Sequence, residues 1–357
     1  MLLVSNRHAL LFIVSHVFSE PMQKLAENFG LYDSYGRVIR KLRLSVIDKC
    51  NFRCNFCMPD EPEWLPNEKV LTIAEISRIV EILSSSYGVG RIRITGGEPL
   101  LRKDIEDVVR SLSRIRSVER LGITTNGFLL AQKARALREA GLQSVTVSLH
   151  SLRRNRFFAV TRRDTYDQVI QGIRAAKDAG FGSVKLNCVV IRGYNDDEII
   201  DFAKMSYEEG FNVRFIEYMP FDGKKMWEQS KVVTGEEILS KIKNRYDVVP
   251  LEREAGSTSI NYRFNDGDGE FGIITSISKP FCGDCDRIRI TADGKLVPCL
   301  FSNSEFDLAK LLRGGAQDSE IKEFLEKSVK LKSPGVETLI NGQQELHHVR
   351  PMYITGG

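Results

Sequence analysis

Cys50, Cys54 and Cys57 stand within eight residues of one another, in the segment DKCNFRCNFCMP. Three thiolates can hold three irons of a four-iron cubane and leave the fourth iron open. An amino acid chelating through its amine and carboxylate can take that open position. A structural zinc ion usually takes four protein ligands, and no His or further Cys is close by in the sequence. Downstream, RITGGEP runs from Arg93 to Pro99. Its glycines allow a close backbone approach, and an extended edge there can pair with an amino acid's ammonium group.

A second group lies in FCGDCDRIRITADGKLVPCLF, which carries Cys282, Cys285 and Cys299. A hairpin is expected across Ala292, Asp293 and Gly294. With a three-residue loop and a left-handed Gly294, Cys299 falls opposite Arg287. Cys285, Arg287 and Arg289 then share one strand face. A two-residue turn would slip the register by one and turn Cys299 to the other face. Two chemistries fit: a zinc ribbon completed by His347 or His348, or a second cubane with an open iron beside two guanidiniums suited to phosphate or carboxylate.

Elements must bring these residues together. Strands are expected at Leu42–Ile47, Arg91–Thr95, Gly122–Thr125, Ser144–Leu149, Val184–Val190 and Asn212–Glu217. Helices fill the gaps, over Thr72–Leu83, from Asp104, and at about 130–140, 166–179 and 196–209. Thr72 and Glu75 have capping-box spacing. Gly180 suits a helix end, and Asn195 with Glu198 suits a helix start. Six strand–helix units imply parallel strands with right-handed crossovers, either doubly wound or in an incomplete barrel. Beyond about residue 230 the texture changes to hairpins, with Asn265-Asp266-Gly267 as one turn, followed by helices near 306–313 and 318–330. The expected organisation is an N-terminal extension over 1–25, an α/β domain over 26–235 and a smaller α+β domain over 236–357.

The chain has 357 residues, 42% apolar and 27% charged, with net charge +4 and seven cysteines. That suits a globular protein with a sizeable core and no basic arm for nucleic acid. Clustered thiols in a long chain point to metal ligands in a reducing compartment rather than to disulfides, so a cytoplasmic location is expected. The apolar run Ala9–Phe18 is too short to span a bilayer and lacks a small-residue cleavage site. Translation from Met22, or a disordered extension, is expected there; no membrane segment is. Cys188 stands alone on the fifth strand and reads as a small buried side chain.

The combined pattern closely resembles the molybdenum cofactor biosynthesis protein A family, GTP 3′,8-cyclases of the radical S-adenosylmethionine superfamily. The matching stretches are CNFRCNFCMP, RIRITGGEPLLR, TTNG, VTVSLHSL, VKLNCVV, RFIEYMP, FCGDCDRIRITADGKLVPCLF and the terminal Gly356-Gly357. The resemblance implies a partial (β/α)6 barrel with a smaller C-terminal α+β domain carrying a second cluster. It implies a lyase with two 4Fe–4S clusters, held by Cys50, Cys54 and Cys57 and by Cys282, Cys285 and Cys299. S-adenosylmethionine would lie on the first cluster against Phe56, Gly97, Ser148 and Met219. GTP would meet the second cluster and Arg43, Arg93, Thr124, Lys185, Arg287, Ile288 and Arg289, with Gly356 and Gly357 reaching the site as a tail. The implied reaction abstracts the C3′ hydrogen of GTP and joins C3′ to C8, giving (8S)-3′,8-cyclo-7,8-dihydroguanosine 5′-triphosphate. A reduced ferredoxin or flavodoxin would donate electrons. Cyclic pyranopterin monophosphate synthase would take the product, and the enzyme would be a monomer or homodimer. The chain departs from the family at His150 and Asp286, where Asp and Asn are common; Asp286 is expected to add negative charge beside the two arginines. Two other functions fit the cysteines: a radical enzyme acting on a peptide or tetrapyrrole, and a non-enzymatic zinc or electron-transfer protein.

Overall fold

The computed structural model describes residues 30–182, 184–221, 227–302, 304–336 and 351–356. The leader, His347, His348 and Gly357 lie outside these described residues. A small hairpin, β1 (Leu31–Tyr32) with β2 (Val38–Ile39), comes first. Six parallel strands follow: β3 (Lys41–Ser45), β4 (Arg91–Thr95), β5 (Arg120–Thr125), β6 (Ser144–Ser148), β7 (Val184–Val190) and β8 (Asn212–Glu217). They pair in chain order without reversal. A doubly wound sheet would reverse direction at a switch point. With right-handed crossovers all in one direction, the helices gather on one face and leave the other concave.

Those helices are α1 (Ile73–Tyr87), α2 (Ile105–Ser113), α3 (Leu130–Glu139), α4 (Arg154–Thr161), α5 (Tyr166–Asp178), α6 (Ile199–Glu209) and α7 (Gly235–Lys243). Alternate strand residues pack under them: Leu42, Leu44, Ile92, Ile94, Val145, Val147, Leu186 and Cys188 join Ile76, Ile79, Val108 and Leu137 in one core. Cys188 is thus the small buried side chain expected. The Thr72–Glu75 capping box forms with both of its bonds, and Gly88 ends α1 in the left-handed region at φ 67°. Gly180, at φ 79°, follows α5 as expected.

Two local expectations fail. Glu198 stands at the start of α6, as the spacing suggests, but neither its side chain nor that of Asn195 caps the helix. Both are buried, and both tie the loop after β6 to the loop after β7. Asn195 bonds the backbone of His150, Val189 and Ile191, while Glu198 accepts from Ser151, from the Leu152 N–H and from Arg156. Helix α4 was missed, because only Phe157, Val160 and Thr161 of its eight residues are buried and no strong apolar stripe announces it.

The C-terminal strands extend this sheet at both edges. On one side lie β9 (Val248–Pro250), β10 (Ile260–Phe264) and β11 (Glu270–Ile274), with β11 parallel to β8. The expected turn at Asn265-Asp266-Gly267 joins β10 and β11. On the other side lie β12 (Arg287–Ile290), β13 (Lys295–Val297) and β14 (Phe306–Asp307), with β12 parallel to β3. Among the described residues the twelve strands form one open sheet, a barrel left incomplete. Helices α8 (Leu308–Arg313) and α9 (Asp318–Lys330) follow, then a single turn, α10 (Met352–Thr355). No helix among the described residues is long and apolar enough to cross a membrane.

Candidate active site

The concave face of the sheet encloses a cavity of about 320 Å³ lined by all six clustered cysteines. Chain topology sets where each trio sits. Cys50, Cys54 and Cys57 follow β3, at the C-terminal ends of the parallel strands, where active sites of such barrels gather. GGEP follows β4 alongside. Gly97 N–H donates to the Ile47 carbonyl at 2.8 Å, and Glu98 N–H to the Lys49 carbonyl at 2.8 Å. A Cβ on Gly97 would run into the carbonyl oxygens of Asp48 and Lys49. Part of what these glycines do is therefore to let GGEP lie flat against the chain entering the cysteine loop. Glu98 is buried and accepts from Thr125 Oγ1 at 2.7 Å and from the backbone N–H groups of Asn126 and Leu100. Burial raises its pKa and those bonds oppose it, leaving it at about 7. Asn126, from TTNG, donates to Asn51 Oδ1 at 2.8 Å and lies 3.9 Å from Cys50 Sγ.

Burial pushes the Cys50 and Cys57 thiols up to about 12, and the nearby Glu98 and Cys50 charges respectively add to it. Cys54 is also pushed well up, by burial and then by its two companions. Thiolates packed this closely need a metal's positive charge, which is what a cluster ligand loop requires. Among the described residues no three His, Cys, Asp or Glu side chains converge as one ion would require. A cubane does not ask for that, because each thiolate binds a different iron.

Between the two trios runs a row of cations. Arg289 pairs in register with Arg43, and Arg43 with Arg93, across three adjacent parallel strands. The next position on β5 is Gly122, where a Cβ would lie 2.6 Å from the Arg93 guanidinium. Gly122 thus leaves room for that side chain. Arg214 on β8 and Arg287 also line the cavity, and among the described residues no Asp or Glu lines it. Burial, then the charges of Arg289, Arg287, Arg93 and Arg214, hold Arg43 well below the usual guanidinium range. Burial followed by Arg214 brings Arg93 to about 10; burial followed by Arg287 does the same to Arg289.

The second trio sits at the opposite end of these strands. Cys285 precedes β12, Cys282 lies in a short 3-10 turn before it, and Cys299 follows β13. Arg289 pairs with Val297 and Ile290 with Leu296, and Gly294 is left-handed at φ 78°. This is the three-residue loop, and its register continues to set Cys299 across from Arg287. Arg287 stacks on the Phe281 ring at 5.0 Å. Burial raises the Cys285 thiol, but Arg287 and Lys332 outweigh it and bring it to about 7. Asp286 pairs with Lys41 at 2.9 Å, so its charge is offset there.

The cavity wall therefore includes Phe56, Gly97, Ser148, Met219, Arg43, Arg93, Thr124, Arg287 and Arg289 along with the six cysteines. Lys185 lies on the inward face of β7, in line with the lining residues Asn187 and Val189. Burial, then Arg214, Arg93 and Arg120, bring its pKa down to about 7. Ile288 is fully buried in the core on the outward face of β12, so its side chain does not reach the cavity. The Gly356 carbonyl accepts from Arg289, and a Cβ on Gly356 would lie 2.6 Å from Thr95 Cγ2. His150 lines the cavity, stands edge-on to Phe56 at 4.7 Å, and accepts from the Val189 N–H at 3.1 Å. Burial lowers it to about 4.

The sequence reasoning missed Arg214, Asn126 and Lys332 as site residues. Arg214 had a signal, alternating with buried Val213 and Phe215 on its strand. Lys332 had none, since it follows a helix in an irregular loop.

Comparison with known proteins places this geometry. A family model described as Radical SAM superfamily matches residues 44–206, and one described as Molybdenum Cofactor Synthesis C matches 211–338. The fold is similar to that of Streptococcus suis SuiB bound to its precursor peptide SuiA, with TM-score 0.62 and 15% identity over 95% of this chain and 78% of that one. The chain is a radical S-adenosylmethionine enzyme. It is 42% identical over 328 residues to the GTP 3′,8-cyclase of Thermodesulfovibrio yellowstonii, covering 91% of this chain and 99% of that one. It is 39% identical to the mitochondrial GTP 3′,8-cyclase of Arabidopsis thaliana, covering 92% and 83%. It is 41% identical to human molybdenum cofactor biosynthesis protein 1, covering 84% of this chain and 47% of that one. The chain belongs to the GTP 3′,8-cyclase family.

Proposed function

We propose that the cavity converts GTP to (8S)-3′,8-cyclo-7,8-dihydroguanosine 5′-triphosphate, with S-adenosylmethionine at one end and the guanine at the other. The observation that carries this is the row of arginines laid across adjacent strands of one cavity, set between two cysteine trios. Guanidiniums gathered on one cavity wall suit a polyanion, and their planar forks suit phosphate oxygens. Strand β3, five residues or about 16 Å of extended chain, runs along the wall between the ends that carry the two trios.

Cys50, Cys54 and Cys57 would hold one 4Fe–4S cluster, and Cys282, Cys285 and Cys299 another. When bound, the first would supply the electron for reductive cleavage of S-adenosylmethionine, and the second would supply Lewis-acidic iron near the purine. The chain's own residues do the positioning. Gly97 and Ser148 leave room at the first trio, and Phe56 and Met219 wall it. Arg43, Arg93, Arg289 and Arg214 hold the triphosphate and fix which ribose face meets the first trio. Thr124 and Lys185 add donors on the same inward face. The tail through Gly356, pinned by Arg289, closes over the row, and the apolar rings of Phe281 and Phe301 exclude water.

A reduced ferredoxin or flavodoxin fits as donor and cyclic pyranopterin monophosphate synthase as the consuming enzyme. The test is an anaerobic assay of reconstituted protein with S-adenosylmethionine, dithionite and GTP, with the product identified by mass and NMR. Cleavage of S-adenosylmethionine without any cyclised nucleotide would refute the assignment to GTP. About four irons per chain, rather than about eight, would refute the second cluster.

A further inference from the structure

Lys332 follows α9 and is 3% exposed. Its ammonium donates to the carbonyl of Arg287 at 2.7 Å and to the carbonyl of Pro298 at 2.7 Å. These carbonyls flank the second trio: Pro298 precedes Cys299, and Arg287 lies two residues beyond Cys285. One side chain therefore clasps both strands of the hairpin at the end that presents the cysteines.

A clasp alone does not account for a buried charge. Neutral carbonyls repay only part of the desolvation of an ammonium, and buried charges are ordinarily paired. Among the described residues no carboxylate lies within ion-pair distance of Lys332, and none lines the cavity wall to which it belongs. The anions on offer there are the thiolates of Cys285 and Cys299. An ammonium has three donors, and two are spent on carbonyls.

We propose that Lys332 is the built-in counter-charge of the second cluster, a positioning residue that holds the hairpin closed and keeps the cluster's reduction potential high. This rests on the reading that an iron–sulfur cluster occupies the second trio. A cluster on thiolates carries net negative charge and becomes more negative on reduction, so a fixed cation beside it favours the reduced form. Arg287, stacked on Phe281, supplies part of the same field, but it faces the cavity, where the substrate's phosphates compete for it. Lys332 lines the same cavity, but its ammonium is held by two backbone carbonyls of the hairpin.

The test compares Lys332→Gln, which keeps a donor and loses the charge, with Lys332→Arg, which keeps the charge. Both are reconstituted anaerobically as full-length protein. Each cluster's midpoint potential is followed by EPR during a redox titration, and iron retention is followed under a chelator. In Lys332→Gln the second cluster's reduction equilibrium should shift about tenfold toward the oxidised form, about 59 mV for a one-electron couple. Its iron should also be stripped faster, while the first cluster stays at its wild-type potential. Lys332→Arg should restore both properties. An unmoved potential and unchanged iron retention in Lys332→Gln would overturn the proposal. So would equal loss of the cluster from both variants, which would mean that shape and not charge matters. A wild-type protein with only about four irons per chain would instead refute the second cluster itself, a result read before either variant is made.

Discussion

Replacing Arg93 by Met separates what the cation row costs from what it does. A guanidinium held at about 10 has its charged form penalised by about 3 kcal/mol at neutral pH. Against that, Arg93 donates to the Ile123 carbonyl at 3.2 Å and to Thr146 Oγ1 at 3.3 Å. Two long bonds of this kind contribute about 1 kcal/mol each. The ligand-free variant should therefore be more stable than wild type by about 1 kcal/mol, a rise in Tm of about 1–2 °C for a chain of this size. Binding should move the other way. Loss of one charge-assisted contact to phosphate costs about 1.5–3 kcal/mol, or about a 10- to 150-fold weaker Kd for GTP. Differential scanning fluorimetry and anaerobic calorimetry on one preparation measure both. S-adenosylmethionine affinity, read in parallel, should be unchanged, because Arg93 lies below the first trio. A fall in ligand-free Tm together with unchanged GTP affinity would refute the reasoning, since Arg93 would then be a structural group satisfied by the protein itself.

Lys185 gives a pH dependence. Its folded pKa, about 7, lies below that of the unfolded chain, so across roughly pH 7–10 the unfolded state holds more protons and stability rises with pH. A bound polyanion reverses the shift, so GTP binding at pH 8 should take up close to one proton, measured by calorimetry in buffers of different ionisation enthalpy, and Lys185→Met should abolish the uptake; uptake persisting in the variant would contradict this. Gly97→Ala places a methyl against the Asp48 and Lys49 carbonyls, so reconstituted iron should fall by about half while the second cluster's EPR signal remains. His150 is neutral at pH 7 and accepts from Val189, so His150→Phe should cost about 1–3 kcal/mol in urea unfolding, with His150→Asn recovering most of it. Equal losses in the two variants would show that packing on Phe56 is what matters.

Much of the site was legible before the fold because its chemistry is compressed into short segments. Cysteine spacing named a metal loop, and period-two alternation put Cys285, Arg287 and Arg289 on one face. The hairpin register was narrowed to two, and the left-handed Gly294 with the Arg289–Val297 pairing picks the three-residue loop. The illegible parts are those decided by distant neighbours. Asp286 reads locally as a negative charge beside two arginines, but Lys41 from the neighbouring strand pairs with it. Asn195 and Glu198 looked like a cap because their spacing is right, but two buried loops compete for the same polar atoms and win. Ile288 shares the arginines' motif yet not their face. Lys332 is invisible locally, since only the fold brings its loop to the hairpin.

The change of texture near residue 235 does not mark a break in the sheet. Strands from the C-terminal third lie on both edges, β11 against β8 and β12 against β3. Strand β3 leads into Cys50 at its end and pairs with β12, the strand that begins just after Cys285. One five-residue strand thus sets the distance between the two trios, and the cation row is laid across it and its neighbours. Two independently folded domains joined by a linker would leave that distance to a hinge. Here it is fixed by backbone hydrogen bonds, as the proposed reaction needs if a radical made at one end is to meet one ribose hydrogen of a substrate held at the other. The same argument predicts one cooperative unit. A fragment ending near 235 would expose the edges of β3 and β8 together, so it should aggregate or fail to fold, and the full chain should unfold in urea with coincident fluorescence and circular dichroism transitions. Two resolved transitions, with the parallel strands surviving the first, would mean that the C-terminal strands dock onto a finished barrel and that the distance between the trios is adjustable after all.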